Sequence, residues 1–301
     1  MRELVIVSGK GGTGKTSLTA AFAALARNHL LCDADVDAAD MHLLMQPQVQ
    51  SRHDFIGGGL AVINAELCTE CGRCRELCRF EAISPDYVVN DIRCEGCGVC
   101  VDLCPEKAID FPPQRCGEWY SSETRFGPMI HARLGIAEEN SGRLVSLVRK
   151  EARKMAEERE LDLILTDGPP GIGCPVIAAI GGATALVMIV EPTVSGLHDM
   201  ERVISLAAHF QLPGMLCVNK FDLNPAMTEE IEHLAVQRNV ALLGRIPFDP
   251  VFTRAMIEGK TLFEYGGDTP THRQVREIWE KILAAPSMNA LGIVDLKSTI
   301  Q

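Results

Sequence analysis

One string near the N-terminus, Ser8-Gly9-Lys10-Gly11-Gly12-Thr13-Gly14-Lys15-Thr16, constrains the architecture more than any other. It follows the aliphatic run Leu4-Val5-Ile6-Val7 and precedes a helical stretch over 15–27. A glycine-rich loop between a strand and a helix cradles phosphate. Its backbone N–H groups curl round the β- and γ-phosphates, and the positive end of the helix faces them. The rest of the chain supplies the sheet such a loop requires. Short aliphatic runs at 3–7, 30–33, 60–64, 161–166, 185–190, 215–219 and 240–246 alternate with helical stretches at 141–160, 197–210, 227–238 and 272–283. Strands separated by helices of ten or more residues imply a parallel sheet covered on both faces, so the fold class is α/β, doubly wound.

Within the loop, Gly9, Gly11, Gly12, Thr13, Gly14, Lys15, Thr16 and Ser17 are the expected phosphate-binding set. Lys15 reaches phosphate oxygens and Thr16 places its hydroxyl on Mg²⁺. Acidic runs are usually solvated surface, but Cys32-Asp33-Ala34-Asp35-Val36-Asp37 follows the second strand, where ligands of open sheets bind. Thr166-Asp167-Gly168-Pro169-Pro170-Gly171 ends another strand, and Asn219-Lys220-Phe221-Asp222 follows a third and fits the signature by which GTPases read guanine.

Lys10, just after the first glycine of the loop, gives the pattern K-G-G-x-G-K-T. This resembles the deviant Walker A motif of the MinD, Mrp and nitrogenase iron protein superfamily, whose fold is the SIMIBI-type P-loop sheet. The resemblance implies an ATPase that binds ATP or ADP with Mg²⁺ between two subunits, with Lys10 reaching the partner's nucleotide. It implies that Asp33 holds a magnesium-bound water and that Asp35, in switch I, positions the attacking water. Asp167 becomes the Walker B aspartate at the head of switch II, a segment that changes shape when the γ-phosphate leaves. Lys10, Lys15, Asp35 and Asp167 are thus the catalytic candidates. In that family the asparagine matching Asn219 reads adenine, and a segment like Pro247-Phe248-Asp249, with Pro247 and Asp249, completes the pocket. ATP is the favoured nucleotide, with GTP left open.

Eight of the 12 cysteines lie in a repeat. Cys68-Thr-Glu-Cys71-Gly-Arg-Cys74-Arg-Glu-Leu-Cys78 recurs as Cys94-Glu-Gly-Cys97-Gly-Val-Cys100-Val-Asp-Leu-Cys104, and Ala82-Ile83 recurs as Ala108-Ile109. A module this short needs a staple. Two C-x₂-C-x₂-C-x₃-C runs resemble two-cluster bacterial ferredoxins, where the fourth cysteine of each run ligates the other cluster. Two [4Fe–4S] clusters follow, one on Cys68, Cys71, Cys74 and Cys104, the other on Cys94, Cys97, Cys100 and Cys78. Zinc would leave the third cysteine of each run unused. Arg79 stands where Pro105 follows the second run, which alters the surroundings of the second cluster. The expected organisation is an ATPase domain in two parts, 1–64 and 140–285, a ferredoxin domain at 65–113, a connecting segment at 114–139 and a tail at 286–301.

Of the other cysteines, Cys32 and Cys217 sit in apolar strands and are expected in the core. Cys174 follows switch II at the offset where the nitrogenase iron protein carries a cluster ligand. With Cys116 it could furnish a third cluster across a dimer, against the plainer reading of an idle thiol. A formal net charge of −11 disfavours nucleic acid and anionic lipid as partners. The chain starts directly with a strand, no apolar run is long enough to span a membrane, and residues 288–301 lack a basic amphipathic pattern, so a cytoplasmic protein without stable membrane association is expected. Three functions are compatible with these sites. They are ATP-gated electron transfer to a partner protein, iron–sulfur cluster delivery as in Mrp-like carriers, and spatial positioning as in MinD. The resemblance further implies a homodimer, or a heterodimer with a paralogous ATPase, that meets an unidentified redox or iron–sulfur protein.

Overall fold

The computed structural model describes residues 1–135 and 140–289. Strand β1 (Arg2–Ser8) is buried from Glu3 to Ser8. Its Val5 and Val7 face one hydrophobic layer and Leu4 and Ile6 the other. A strand apolar on both faces belongs at the centre of a sheet. The remaining strands are β2 (His29–Asp33), β3 (Gln48–Gly59), β4 (Val62–Ile63), β5 (Ile109–Asp110), β6 (Pro113–Thr124), β7 (Gly127–Leu134), β8 (Leu163–Pro170), β9 (Ala185–Val190), β10 (Gly214–Asn219) and β11 (Ala241–Ile246). The helices are α1 (Lys15–Leu25), α2 (Met41–Met45), α3 (Arg73–Leu77), α4 (Val99–Asp102), α5 (Ser141–Glu158), α6 (Cys174–Ile180), α7 (Val194–His209), α8 (Pro225–Gln237), α9 (Val251–Ile257), α10 (Leu262–Tyr265), α11 (Pro270–Ala284) and α12 (Pro286–Asn289).

Nine strands form one sheet in the order β11-β10-β9-β1-β8-β2-β7-β6-β3. From β11 to β7 every pairing is parallel, and β6 and β3 then add antiparallel. Helices α5 to α8 cover one face, through residues such as Leu144, Val176, Met200 and Ile231. Helices α1 and α11 cover the other, through Leu18, Phe22, Val275 and Trp279. The expected doubly wound parallel sheet is therefore present, widened by an antiparallel edge.

That edge departs from the sequence expectation. Residues 60–64 do not join the sheet; only Val62–Ile63 pair, with Ile109–Asp110 in a separate two-stranded ribbon. Of the connecting segment expected at 114–139, residues 114–134 form, with Pro113, a hairpin of the main sheet. Its other partner, β3, is solvent-exposed over most of its first seven residues. Strands with so much water-facing surface carry Gln, Ser, Arg and Glu in place of an aliphatic run, so they leave little apolar signal. Arg125, in the tight turn of the hairpin, ties it to the body by an ion pair with Glu264 and by donating to the Leu44 and Met45 carbonyls.

The register fixes where the cysteine segment emerges. Asp33, at the end of β2, lies opposite His131; Leu134, at the end of β7, lies opposite Gly117; and Gly59 lies opposite Pro113. Residues 60–112 thus leave and re-enter the sheet at the edge that also carries the phosphate loop.

Two buried histidines set a pH dependence. His29 is 3 % exposed, and burial pushes its pKa down to about 4. His131 is pushed down to about 4 by burial and by the nearby His42. Between pH about 6.5 and about 4 the unfolded chain takes up protons that the folded chain refuses, so stability is full above that window and falls as pH drops through it. Each pKa unit of difference is worth ~1.4 kcal/mol. The urea midpoint is expected to fall across this window, and His29→Leu to flatten the fall; equal slopes for the two proteins would remove His29 from the account.

Candidate nucleotide site and cysteine centre

Gly14 caps α1 in the left-handed region at φ +89°, and a Cβ there would lie 2.5 Å from the Asn219 Nδ2. Only glycine lets the loop close onto the end of β10. Asn219 in turn donates from Nδ2 to the Thr13 carbonyl at 2.7 Å. The following residue, Lys15, is 6 % exposed, and its Nζ lies 2.9 Å from Asp167 Oδ2 and 3.2 Å from Asp35 Oδ2. Thr16 donates to Asp167 Oδ2 at 2.7 Å and Thr19 to Asp167 Oδ1 at 2.8 Å. The ends of β2 and β8 and the start of α1 thus bring Asp33, Asp35, Asp167, Lys15 and Thr16 together, as expected.

The charges in this site are not balanced. Burial, and then repulsion from Asp167, hold the Asp33 carboxyl well above the usual range, and burial raises Asp35. Burial alone would lower Lys15, but Asp167 and Asp35 outweigh it and its pKa is raised. Asp33 Oδ2 and Asp35 Oδ1 are buried without a hydrogen-bond partner. Three carboxylates, two with orphaned oxygens, beside a threonine hydroxyl suit a hydrated divalent cation such as Mg²⁺.

Beside the loop, a cavity is lined by Gly12, Gly14, Ser17, Leu18, Asn219, Lys220, Pro247, Phe248, Asp249, Phe252, Thr253 and Met256. The expected Asn219, Pro247 and Asp249 are in its wall, while Leu18 and the three residues of α9 were not legible from any motif. Asp249 accepts from Val251 N at 2.9 Å and from Thr271 Oγ1 at 2.6 Å, so its carboxylate is committed to the turn before α9. Asp222 accepts from Phe248 N at 2.6 Å, and Lys220 donates to the Gly12 carbonyl at 2.9 Å. The N-K-x-D segment acts as a strut between the loop and the cavity wall. Gly9 packs on Asp199, and Gly11 faces open space.

Lys10 stands 34 % exposed at the rim with its Nζ 3.1 Å from Glu191 Oε2, a carboxylate that also pairs with Lys220. Burial would raise Glu191, but hydrogen bonds from Lys220 and Lys10 prevail and its pKa is lowered. Sequence reasoning missed Glu191; its place directly after the apolar run of β9, at the ligand-bearing edge, was the available signal.

In the cysteine segment the repeat is structural as well as sequential. Asn64 N donates to Ala108 O at 2.8 Å and Asn90 N to Ala82 O at 2.7 Å, so each copy begins on the end of the other. Ala82 N donates to Cys78 Sγ, and Ala108 N to Cys104 Sγ, both at 3.4 Å. One hollow is lined by Cys68, Cys71, Cys74 and Cys104, and another by Cys78, Cys94, Cys97 and Cys100. These are the two ligand sets expected from the sequence. Among the described residues no three Asp, Glu, His or Cys side chains are placed to ligate one metal ion directly, so a cation at the aspartates would be held through water. A cubane cluster asks for something else, four thiolates each on a different iron around a hollow, and N–H···S bonds that stabilise them. Burial raises the Cys74 thiol and, with Cys94 and Cys97 nearby, raises Cys100 to about 11.

Cys32 and Cys217 are fully buried as expected, and burial pushes Cys217 up to about 12. Cys174 is exposed at the first turn of α6. Cys116 is 4 % exposed and packs in the core layer with Phe55. A ligand shared across subunits has to reach the surface, which Cys174 does and Cys116 does not. No helix among the described residues is long and apolar enough to cross a membrane. Of the tail, residues 290–301 lie outside the described residues.

Comparison with known proteins agrees with the sheet and the loop. Residues 4–262 match the CobQ/CobB/MinD/ParA nucleotide binding domain. An uncharacterized protein of Methanocaldococcus jannaschii is 30 % identical over 283 residues, covering 93 % of this chain and 96 % of its own. A cytosolic Fe-S cluster assembly factor homolog from Trichoplax adhaerens is 26 % identical over 141 residues, 42 % of this chain and 53 % of its own. The septum site-determining protein MinD from Pyrococcus horikoshii, solved with Mg-ADP, superposes with a TM-score of 0.57 at 19 % identity, over 95 % of this chain and 98 % of that one. A P-loop closed on Asn219, an aspartate triad around Lys15 and a match over most of the chain place the protein in the CobQ/CobB/MinD/ParA nucleotide-binding family, as a MinD/ParA-type P-loop ATPase.

Proposed function

We propose that the protein is a dimeric ATPase that couples ATP binding and hydrolysis to electron transfer through two [4Fe–4S] clusters to a partner protein. The supporting observation is the pair of four-cysteine hollows, interleaved as the sequence pattern requires, on the sheet edge that carries the phosphate loop. When bound, the clusters supply one-electron carriers, taking electrons from a reduced partner and passing them to an oxidised one.

The chain's own residues do the rest. The P-loop amides and Lys15 bind the β- and γ-phosphates, while Thr16, Asp33 and Asp167 would hold Mg²⁺. Asp35 orients the attacking water, and Lys10, freed from Glu191, reaches the nucleotide of the second subunit, either a second copy or a paralogous ATPase. Adenine is favoured over guanine because Asp222, whose two carboxylate oxygens would have to face a guanine, already gives Oδ1 to Phe248 N.

A second reading, iron–sulfur cluster assembly, is favoured by the partial similarity to the Fe-S assembly factor. An exposed Cys174 would suit a labile shared cluster, whereas eight interleaved cysteines hold theirs firmly. Transfer of iron and sulfide to an apo-acceptor would support that reading, and transfer of electrons alone would support the first.

The coupling is tested on dithionite-reduced protein mixed anaerobically with ATP, ADP or a non-hydrolysable ATP analogue. ATP and its analogue are expected to change the EPR line shape, or the rate of reoxidation by an artificial acceptor, where ADP does not. Identical spectra and rates with all three nucleotides would defeat the coupling.

A further inference from the structure

The two cysteine copies meet the body of the protein differently. Glu70 and Gly96 are equivalent in the repeat, and both are left-handed, at φ +55° and +58°. Glu70 is exposed, with its neighbours Thr69 and Cys71. Gly96 is half-buried, and a Cβ there would lie 2.9 Å from the Gly59 carbonyl oxygen. The second loop therefore rests on the backbone at the end of β3, and the first faces solvent.

The end of β3 is also where contacts from both nucleotide-sensing segments arrive. Val36, next to Asp35, accepts from Leu134 N at 3.1 Å, and Gly135 N donates to Cys116 O at 2.8 Å. Cys116 lines a hollow with Gly58, Gly59, Cys94 and Gly96. From the other side, β8 carries Asp167 and leads into α6. The first residue of α6, Cys174, lies 3.4 Å from the Cβ position of Gly142 at the start of α5. The adjacent Arg143 donates to the Gly57 carbonyl at 2.5 Å. Both routes are contiguous packing and hydrogen bonding, the physical form that coupling between sites takes.

We infer that the two cluster sites have different jobs: the inner one, on Cys78, Cys94, Cys97 and Cys100, responds to the nucleotide through contact of Gly96 with the end of β3, and the outer one, on Cys68, Cys71, Cys74 and Cys104, does not. This rests on the reading above that the cysteines hold clusters and the loop holds ATP. Gly96 and Arg143 are positioning residues in this scheme, acting through the backbone at the end of β3.

The test is backbone hydrogen exchange on the cluster-loaded full chain, with ADP and with a non-hydrolysable ATP analogue. Exchange over residues 94–98 is expected to differ between the two nucleotides by roughly threefold or more, with residues 68–72 unchanged. Gly96→Ala is expected to erase the difference, and Glu70→Ala to preserve it. Because Gly96→Ala strains the loop, Arg143→Ala provides a second cut, expected to shrink the response with iron content unchanged. Equal responses in both loops, a response in the first loop alone, or a wild-type response in both Gly96→Ala and Arg143→Ala would overturn the inference. Iron content, cluster absorption and nucleotide binding are measured on the same samples. Protein without clusters or nucleotide refutes the underlying reading, whereas loaded protein with a symmetric or absent response refutes this inference alone.

Discussion

Alanine at Lys15 is expected to lower kcat/KM for ATP hydrolysis by about a hundredfold or more, the range seen when one preorganised donor to a developing charge is removed. The same substitution should also weaken the protein when no nucleotide is bound. Lys15 is the cation enclosed by Asp33, Asp35 and Asp167, and Asp33 is fully buried beside Asp167. Removing one member of a buried ion pair costs about 3–5 kcal/mol, because the remaining charge is left uncompensated. Urea unfolding of Lys15→Ala should show that loss, and Mg²⁺ alone should restore part of it by supplying the missing positive charge. If the variant unfolds as the wild type does and ignores Mg²⁺, the carboxylates are not the cation site described above. Lys10→Ala provides the contrast. It is 34 % exposed and outside this triad, so the variant should bind nucleotide and remain stable while losing hydrolysis. Full hydrolysis by Lys10→Ala would count against a shared dimer site.

The second large effect concerns Cys78, which stands in the first cysteine run but lines the hollow of the second. Cys78→Ala is expected to lower iron from about eight to about four per chain, by loss of one of two [4Fe–4S] clusters. Double variants then identify which one. If Cys78 and Cys97 serve the same cluster, Cys78→Ala with Cys97→Ser should retain as much iron as either single change. Paired instead with Cys71→Ser, Cys78→Ala should leave almost none. This is non-additivity used as a map of shared partners. The reverse pattern would mean that each run holds its own cluster and that the interleaving is wrong.

The sequence carried β1, β2, β8, β9 and β10 well, because each is buried on both faces and is written as an aliphatic run, whereas β7, also parallel and buried, was missed because Gly, Pro, His and Arg interrupt its apolar residues. It carried β3 and β6 poorly for the same physical reason in reverse. Their exposed faces demand polar residues, so Trp119, Tyr120 and His131 appeared as an unreadable connecting stretch although they pair across the β6–β7 hairpin. The phosphate loop and the eight clustered cysteines were legible because their chemistry fixes both residue type and spacing. Glu191, Leu18, Phe252 and Met256 were not, since a carboxylate parked on a lysine and an apolar cavity wall can be built from many residues. Cys116 shows the limit of reading by residue type. A thiol near a cluster motif suggests a ligand, but only its position in β6 reveals that it is buried against Phe55.

The pairing of Gly59 with Pro113 holds the two ends of the cysteine segment side by side. A segment attached in this way can be removed or exchanged without asking the sheet to bridge a gap, and closing a short turn across the same two strands costs little chain entropy. The protein is therefore divisible at the base of this segment. A version with residues 60–112 replaced by a tight turn should retain the nucleotide-binding body, and the excised segment could be mounted on another hairpin. Such an attachment means that 53 residues hang from two adjacent backbone positions of the sheet, so their folding and that of the body can be measured separately.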